Sequence, residues 1–413
     1  MIMRLWNARL LDGLGGPPVE GASVTIEDGR IVAIGTSVGD PRAAVLDLAG
    51  RTLMPGLIDA HAHVTADTTR SPGFGPPPEL HGDDPRPTEI GYFVLAKTAA
   101  ALLRSGVTTV RDVGSYGLEA IVLRRAIELG ILDGPRILSC ARIVSATSPG
   151  GKVFGSMYHE ADGPWEMRKA VRQQIRDGAD YIKIMATGAR SVDREDPEPA
   201  QMTREEIAAV VDEAHRIGFR VAAHAEGLAG ARIAVEEGVD TIEHGLSLHR
   251  APELLGVMAA RGIVLVPTLS TFADLAERFA DMFTPRLVEQ AKRQAEEARL
   301  TLVAARAAGV TLAMGYDSGP PGTNATELLR MAESGLGAAE AIRAATWGSA
   351  QALGIGADVG TLETGRSADL VVVDGDPLED PGLLLDVERI WLVLQAGRDV
   401  AGNAPRPLLP SGS

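Results

Sequence analysis

Met54-Pro55-Gly56-Leu57-Ile58-Asp59-Ala60-His61-Ala62-His63 is the stretch that decides how the rest of the chain is read. Pro55 and Gly56 turn the chain ahead of an apolar run, and the run ends in two imidazoles one residue apart. On a strand, residues i and i+2 share a face. His61 and His63 therefore converge where the strand gives way to loop. Two neutral imidazoles aimed at one point suit a borderline-soft divalent cation such as zinc. Two unrelated surface histidines are the plainer alternative, and the turn that buries the run weighs against it.

Downstream, seven further β-branched or apolar runs recur: Val107-Thr108-Thr109-Val110, Arg136-Ile137-Leu138-Ser139, Tyr181-Ile182-Lys183-Ile184, Arg220-Val221-Ala222-Ala223, Val239-Asp240-Thr241-Ile242, Ile263-Val264-Leu265-Val266 and Val310-Thr311-Leu312-Ala313-Met314. Each follows a helical stretch closed by a glycine, from Gly106 to Gly309. Thr203 with Glu206 forms a capping box before one of these helices. Eight strands with a helix before seven of them predict an α/β chain, a parallel (β/α)8 TIM-type barrel over residues 56–355. An open doubly wound sheet would want a glycine-rich phosphate turn after the first strand, and Asp59-Ala60-His61 is not one.

The flanks read differently. Val24-Thr25-Ile26-Glu27 and Arg30-Ile31-Val32-Ala33-Ile34 bracket Asp28-Gly29, a strong hairpin signal. Leu370-Val371-Val372-Val373 and Ile390-Trp391-Leu392-Val393-Leu394 supply matching strands at the other end. Neither end is long enough to bury a core alone. Residues 1–55 plus 356–405 are therefore expected to pair into one small β-sandwich domain, with the barrel inserted between them. Residues 271–308, rich in Ala, Glu and Arg, read as an insertion of one or two helices that are solvated or between subunits. The proline-rich segment 71–87 follows the first strand and is a candidate lid.

The net charge of −15 argues against nucleic acid and anionic membrane as partners. A single cysteine, Cys140, rules out an intramolecular disulfide framework and favours a reducing cytoplasm. The N-terminal residues carry no signal-peptide core, and no run of 18 apolar residues spans a membrane. Asn324-Ala325-Thr326 fits a glycosylation pattern by chance.

A barrel presents its chemistry at the C-terminal strand ends. Those ends offer His61 and His63, Lys183, His224, His244 and Asp317. Lys183 is the odd member, since an ammonium repels a metal. Inside Tyr181-Ile182-Lys183-Ile184-Met185, desolvation favours its free amine, which can add carbon dioxide to become a carbamate. A lysine paired with a carboxylate, or reaching to solvent, is an equal reading of the same residues.

These motifs, with Asp180-Tyr181-Ile182-Lys183-Ile184-Met185-Ala186-Thr187-Gly188, Val221-Ala222-Ala223-His224-Ala225, Ile242-Glu243-His244-Gly245, Met314-Gly315-Tyr316-Asp317 and Gly365-Arg366-Ser367-Ala368-Asp369-Leu370, resemble the amidohydrolase superfamily over nearly the whole chain. The nearest resemblance is to its imidazolonepropionase-like and Xaa-Pro or Xaa-Arg dipeptidase members. The resemblance implies a binuclear centre of two divalent ions, zinc by expectation. His61, His63 and Asp317 would hold one ion, His224 and His244 the other, and carboxylated Lys183 would bridge them. It implies attack by a metal-bridged hydroxide on an amide or related C–N bond, with Asp317 moving the proton. A dipeptide, an N-acyl amino acid or a xenobiotic amide or carbamate is the expected small-molecule substrate, and a cytoplasmic homo-oligomer the expected assembly.

Two positions depart from the relatives. Glu226 stands where a second histidine often follows the strand-five ligand, and Ser148-Pro149-Gly150-Gly151-Lys152 replaces a Gly-Gly-His element. Arg142, Lys152, Tyr158, His159, Arg190 and Glu226 are the candidates for holding substrate. His81, His215 and His249 are assigned to structure or surface. The alternative function is a mononuclear deaminase or imidazolonepropionase-like cyclic amidine hydrolase, which Glu226 would serve as acid and base. A non-catalytic scaffold on the same fold is the third reading, and the full set of six side chains weighs against it.

Overall fold

The computed structural model describes residues 2–36, 43–65, 90–189, 192 and 194–405. The candidate lid 71–87, His81 and Arg190 lie outside the described residues. The chain opens with β1 (Ile2–Leu10), β2 (Val19–Glu27), β3 (Arg30–Gly35), β4 (Ala44–Asp47) and β5 (Thr52–Pro55). At the β2–β3 turn, Asp28 and Gly29 have φ of 48° and 80°, the left-handed pair that a two-residue hairpin needs. The middle of the chain supplies β6 (Leu57–Ala62), β7 (Val107–Asp112), β8 (Arg136–Ser139), β9 (Ile143–Ser145), β10 (Tyr158–Glu160), β11 (Ile182–Met185), β12 (Val221–Ala225), β13 (Thr241–His244) and β14 (Val264–Val266). β15 (Leu370–Val373), β16 (Ile390–Gln395) and β17 (Arg398–Ala401) follow near the end.

The two chain ends share one sheet in the order β17-β16-β15-β5-β1-β2-β3, with β4 also on β1. β15 joins β5 antiparallel, from Leu370 opposite Pro55 to Val373 opposite Thr52. The ladders draw a single eight-stranded sheet where a sandwich of two was expected. The reason lies in β1, which slips register between Leu5 and Ala8 and again before Leu10 while Asn7 turns left-handed at φ 58°. Such bulges bend one strand without breaking it, so β1 serves β2, β4 and β5 together. Leu5, Val24, Ile26, Leu53, Leu370 and Leu392 form this sheet's own apolar cluster.

The middle strands are parallel and form two sheets, β10-β9-β11-β12-β13-β14 and β6-β7-β8. Their ladders do not close into a ring. The third expected strand stands as β8, and a further short strand, β9, follows it after Ala141, which sits at φ 60°. The eighth expected strand, 310–314, is reduced to one bridge between Leu265 and Leu312. Backbone bonds still cross the gap: Ala60 N donates to Met314 O at 2.8 Å and Ala313 N to Leu265 O at 2.9 Å. The capping box stands at the helix Arg204–Arg216, where Thr203 Oγ1 accepts from Glu206 N and the Glu206 carboxylate accepts from Thr203 N. The long helical segment becomes Leu269–Ala276 and Pro285–Ala307. The second buries Leu287, Ala291, Gln294, Ala298 and Leu302 along one face, so it packs on the body instead of standing in solvent.

The end sheet is fastened to the middle by a buried carboxylate. Asp369 Oδ2 accepts from Arg136 Nη1 at 2.8 Å, and Oδ1 accepts from Ser367 Oγ and Ala396 N, both at 2.8 Å. Arg136 is part-exposed and can turn to water, whereas buried Ser367 loses its acceptor. Asp369→Ala is expected to lower unfolding free energy by about 2–3 kcal/mol in a denaturant titration. Asp369→Asn, which keeps one acceptor, is expected to lose less.

Candidate metal centre

Each of the six side chains singled out at the strand ends is buried or nearly so. His61 stands on β6 and His63 one residue past its end, while Lys183, His224 and His244 come from β11, β12 and β13. Asp317 follows the 310–314 segment, and its N donates to His61 O at 2.9 Å. The Asp317 Oδ1 atom lies 3.7 Å from His61 Nε2 and 3.7 Å from His63 Nε2, and Oδ2 lies 4.0 Å from His244 Nδ1. Ring centroids of His61 and His244 are 5.0 Å apart, and those of His224 and His244 4.6 Å. One donor atom from each of His61, His244 and Asp317 lies within 4.8 Å of the others, a spacing and donor set that fit a divalent cation of the zinc type.

Polar neighbours fix these rings. His61 Nδ1 meets Glu243 Oε2 at 2.7 Å, His63 Nδ1 meets Gly114 O at 3.0 Å, and His244 Nδ1 meets Thr268 Oγ1 at 2.7 Å. His224 is held the other way, with Nε2 3.2 Å from Gly188 O. Such contacts set the tautomer and aim the remaining nitrogen. Glu243 is the residue that sequence reasoning passed over. It is fully buried, accepts from Arg111 Nη2 at 2.7 Å and also from the Thr241 hydroxyl. Its signal was visible as an acid inside the apolar run Thr241–His244.

Burial pushes the His61 imidazolium well below its ordinary range, with the Lys183 charge adding to the effect, and burial lowers His63 as well. Neutral imidazole is the metal-binding form. Burial also brings Lys183 down to about 8, against the opposing charges of Glu243 and Asp317. Asp59 rises to about 6 through burial, although Asn324 donates to it at 2.6 Å. That contact also places Asn324 in the interior, out of reach of glycosylation in the folded chain.

Backbone strain gathers here. His244, Thr268 and Asp317 are non-glycine residues at φ of 68°, 47° and 41°, each costing about 1–3 kcal/mol. Thr271 Oγ1 holds Asp317 through its carbonyl oxygen and, at 3.2 Å, through Oδ2. Gly315 lets the 310–314 segment press against β6: a Cβ there would stand 2.4 Å from Val266 Cγ1 and 2.6 Å from His61 Cβ.

The candidate substrate residues divide by face. Glu226 Oε1 lies 3.6 Å from His224 Nε2. Tyr158 is buried and stacks on Phe154, and burial, then the charges of Glu195 and Glu226, push its hydroxyl well up. His159, the next residue on β10, points the opposite way. Its Nδ1 meets Gln174 Nε2 at 2.7 Å and Arg142 Nη2 at 3.2 Å, so both Arg142 and His159 face the helix Gly163–Arg176 and not the imidazoles. Lys152 is exposed on the short helix Pro149–Phe154. His215 pairs with Asp240, and His249 contacts Leu246 O and Thr301.

Histidines, a carboxylate and a desolvated lysine at the ends of parallel strands mark the class of metal-assisted hydrolases. The chain belongs to the amidohydrolase family, whose profile matches residues 52–400. It is 30% identical to ochratoxinase of Aspergillus niger over 420 residues, covering 95% of this chain and 85% of that one. It is 31% identical to imidazolonepropionase of Rhizorhabdus wittichii, covering 90% and 93%. Among solved structures, a Xaa-Pro dipeptidase with methionine bound in its active site matches with a TM-score of 0.84 and 31% identity, covering 97% of this chain and 99% of that one. The protein is thus a hydrolase acting on C–N bonds, of amide or peptide type, with a TIM-barrel-type fold implied by its family. Among the described residues no helix is long and apolar enough to cross a membrane.

Gly315→Ala is expected to displace His61 and lower bound metal per chain by at least about tenfold at limiting metal, with the far-ultraviolet circular dichroism kept. Glu243→Gln removes the charge between Arg111 and His61. It is expected to lower stability by about 3 kcal/mol in denaturant and metal affinity by about 10–100-fold by competition with a chelator.

Proposed function

We propose that the chain is a binuclear metal-dependent amidohydrolase that releases an amino acid from a dipeptide or N-acyl amino acid. The observation that carries this reading is Lys183, a lysine buried in a parallel strand, its charge felt by both His61 and His63. Its neighbours in register are Ala222 on β12 and, two residues on, His224 opposite Met185. An amine so desolvated adds its lone pair to carbon dioxide, giving an N-carboxylate and releasing one proton. That anion would sit between His61, His63 and Asp317 on one side and His224 and His244 on the other. The ion pair so held would polarise the scissile carbonyl and lower the pKa of water toward ~7.

The chain's own residues do the rest. Asp317, aimed by the Thr271 hydroxyl and by its own N–H on His61 O, takes the proton of the attacking water and passes it to the leaving nitrogen. Asp59 anchors the loop that carries it, accepting from His61 N at 2.9 Å and Tyr316 N at 3.2 Å. The likeness to a Xaa-Pro dipeptidase with an amino acid in its active site supports an amino acid as product.

A second reading rests on Glu226, whose carboxylate stands beside His224. In it, one ion and Glu226 as acid and base open a cyclic amidine or remove an amino group. Metal analysis separates the two. Two ions per chain, falling to one or none in Lys183→Ala with kcat/KM down by at least about 10³, supports the binuclear hydrolase. One tight ion with no bicarbonate dependence, and turnover of aminated rings but of no amide, overturns it. Asp317→Asn is expected to retain metal and to lose about 10²–10⁴ in kcat on a panel of Xaa-Pro dipeptides and N-acyl amino acids.

A further inference from the structure

The helix Leu269–Ala276 reaches two of the side chains placed at the metal centre. Thr268, just ahead of it, puts its hydroxyl 2.7 Å from His244 Nδ1, and Thr271 Oγ1 donates to Asp317. The Phe272 and His244 rings stand perpendicular with centroids 5.9 Å apart, and Asp274 Oδ2 accepts from Ser318 Oγ at 2.7 Å. One short element thus touches both His244 and the loop that carries Asp317.

Its start departs from an ordinary helix N-terminus. A threonine at the N-cap usually turns its own oxygen onto the free N–H groups of the first turn. Thr268 makes no such bond, because its hydroxyl is at His244. It also sits at φ 47°, a left-handed angle that a β-branched residue keeps only when its surroundings over-determine it. The missing cap comes from another helix, Ala325–Met331. Glu327, fully buried, accepts from Leu269 N through Oε1 at 2.8 Å and from Ser270 N through Oε2 at 2.7 Å. Arg330 on the same helix donates to Asp274 Oδ1 at 2.8 Å and so grips the capped helix further along.

We propose that Glu327 is a positioning residue for the metal centre: capping the helix Leu269–Ala276 with both oxygens, it releases the Thr268 hydroxyl to aim His244 and sets Thr271 against Asp317. The inference rests on the reading above, in which His244 and Asp317 are ligands. Both oxygens of Glu327 are committed to backbone N–H groups, so its influence passes through the helix. An amide in its place offers one oxygen and turns an N–H against the second donor. The Thr268 hydroxyl is then drawn back to the bare N–H groups and away from the imidazole.

Deuterium exchange of the metal-free protein reads the link from Glu327 to the helix. Glu327→Gln is expected to speed exchange at the Leu269 and Ser270 amides at least about tenfold, with the helix Arg204–Arg216 unchanged. Cobalt(II) titration against a chelator reads the centre. The same variant is expected to bind about 10–100-fold more weakly, and its saturated visible spectrum to shift as that of Thr268→Val does. In a chain that already carries Thr268→Val and Thr271→Val, adding Glu327→Gln is expected to cost less than about threefold, since the route is cut. Asp369→Ala, which loosens the end sheet, is expected to keep the parent's cobalt affinity and spectrum. If Glu327→Gln does not fold, Arg330→Met reads the same route, with an expected loss of at least about threefold that vanishes when both threonines are replaced. Unchanged exchange or affinity, an equal loss without the threonines, or a matching loss in Asp369→Ala overturns the positioning role and leaves the metal centre standing. A parent protein that binds no cobalt overturns the centre itself, and the role with it.

Discussion

One buried negative charge ties the centre of this molecule together. Glu243 on β13 accepts from Arg111 on β7 and meets the His61 ring on β6. Arg111 in turn donates through Nε to Ala60 O at 2.6 Å and through Nη1 to Thr241 at 3.2 Å. The ladders leave β6 and β7 in a different sheet from β13. A side-chain network therefore reinforces the few backbone bonds that cross between the two sheets. Removing either Arg111 or Glu243 would strand its partner's charge in a medium where ions are several kcal/mol dearer than in water. The same network decides the tautomer of His61, so the stability of the body and the aim of its first imidazole are one arrangement.

Low polarity does more than hold the frame. It keeps His61 and His63 neutral and the lysine easy to deprotonate, which is the state a metal site requires. Three left-handed residues, His244, Thr268 and Asp317, pull their side chains back over the strand ends.

The placement of the six side chains near strand ends was legible in the sequence because a strand end is a local event: an apolar run, then a polar residue, then a loop. The paired chain ends were legible for a similar reason, since neither half could bury a core alone. What escaped depended on single backbone angles or on distant contacts. The extra short strand β9 follows left-handed Ala141, and nothing in Cys140-Ala141-Arg142 announces it. Asn7 likewise bends β1 so that one sheet forms instead of two. Tyr158 and His159 are adjacent and were grouped together, yet the pleat sends one toward Glu226 and the other toward Gln174. The partnership of Glu226 with Gln294 joins residues 68 apart and has no local trace.

The sheet at the chain ends carries a consequence for synthesis. Its strands β1 to β5 leave the ribosome first, but β5 finds its antiparallel neighbour β15 only after more than three hundred further residues have emerged. Throughout that interval the nascent chain displays a bare hydrogen-bonding edge, the kind of surface on which chains associate wrongly. Pro55 closes β5 and shortens that edge by one donor. The catalytic body thus grows as an excursion from a half-built sheet, and strands translated after that body are those that seal it.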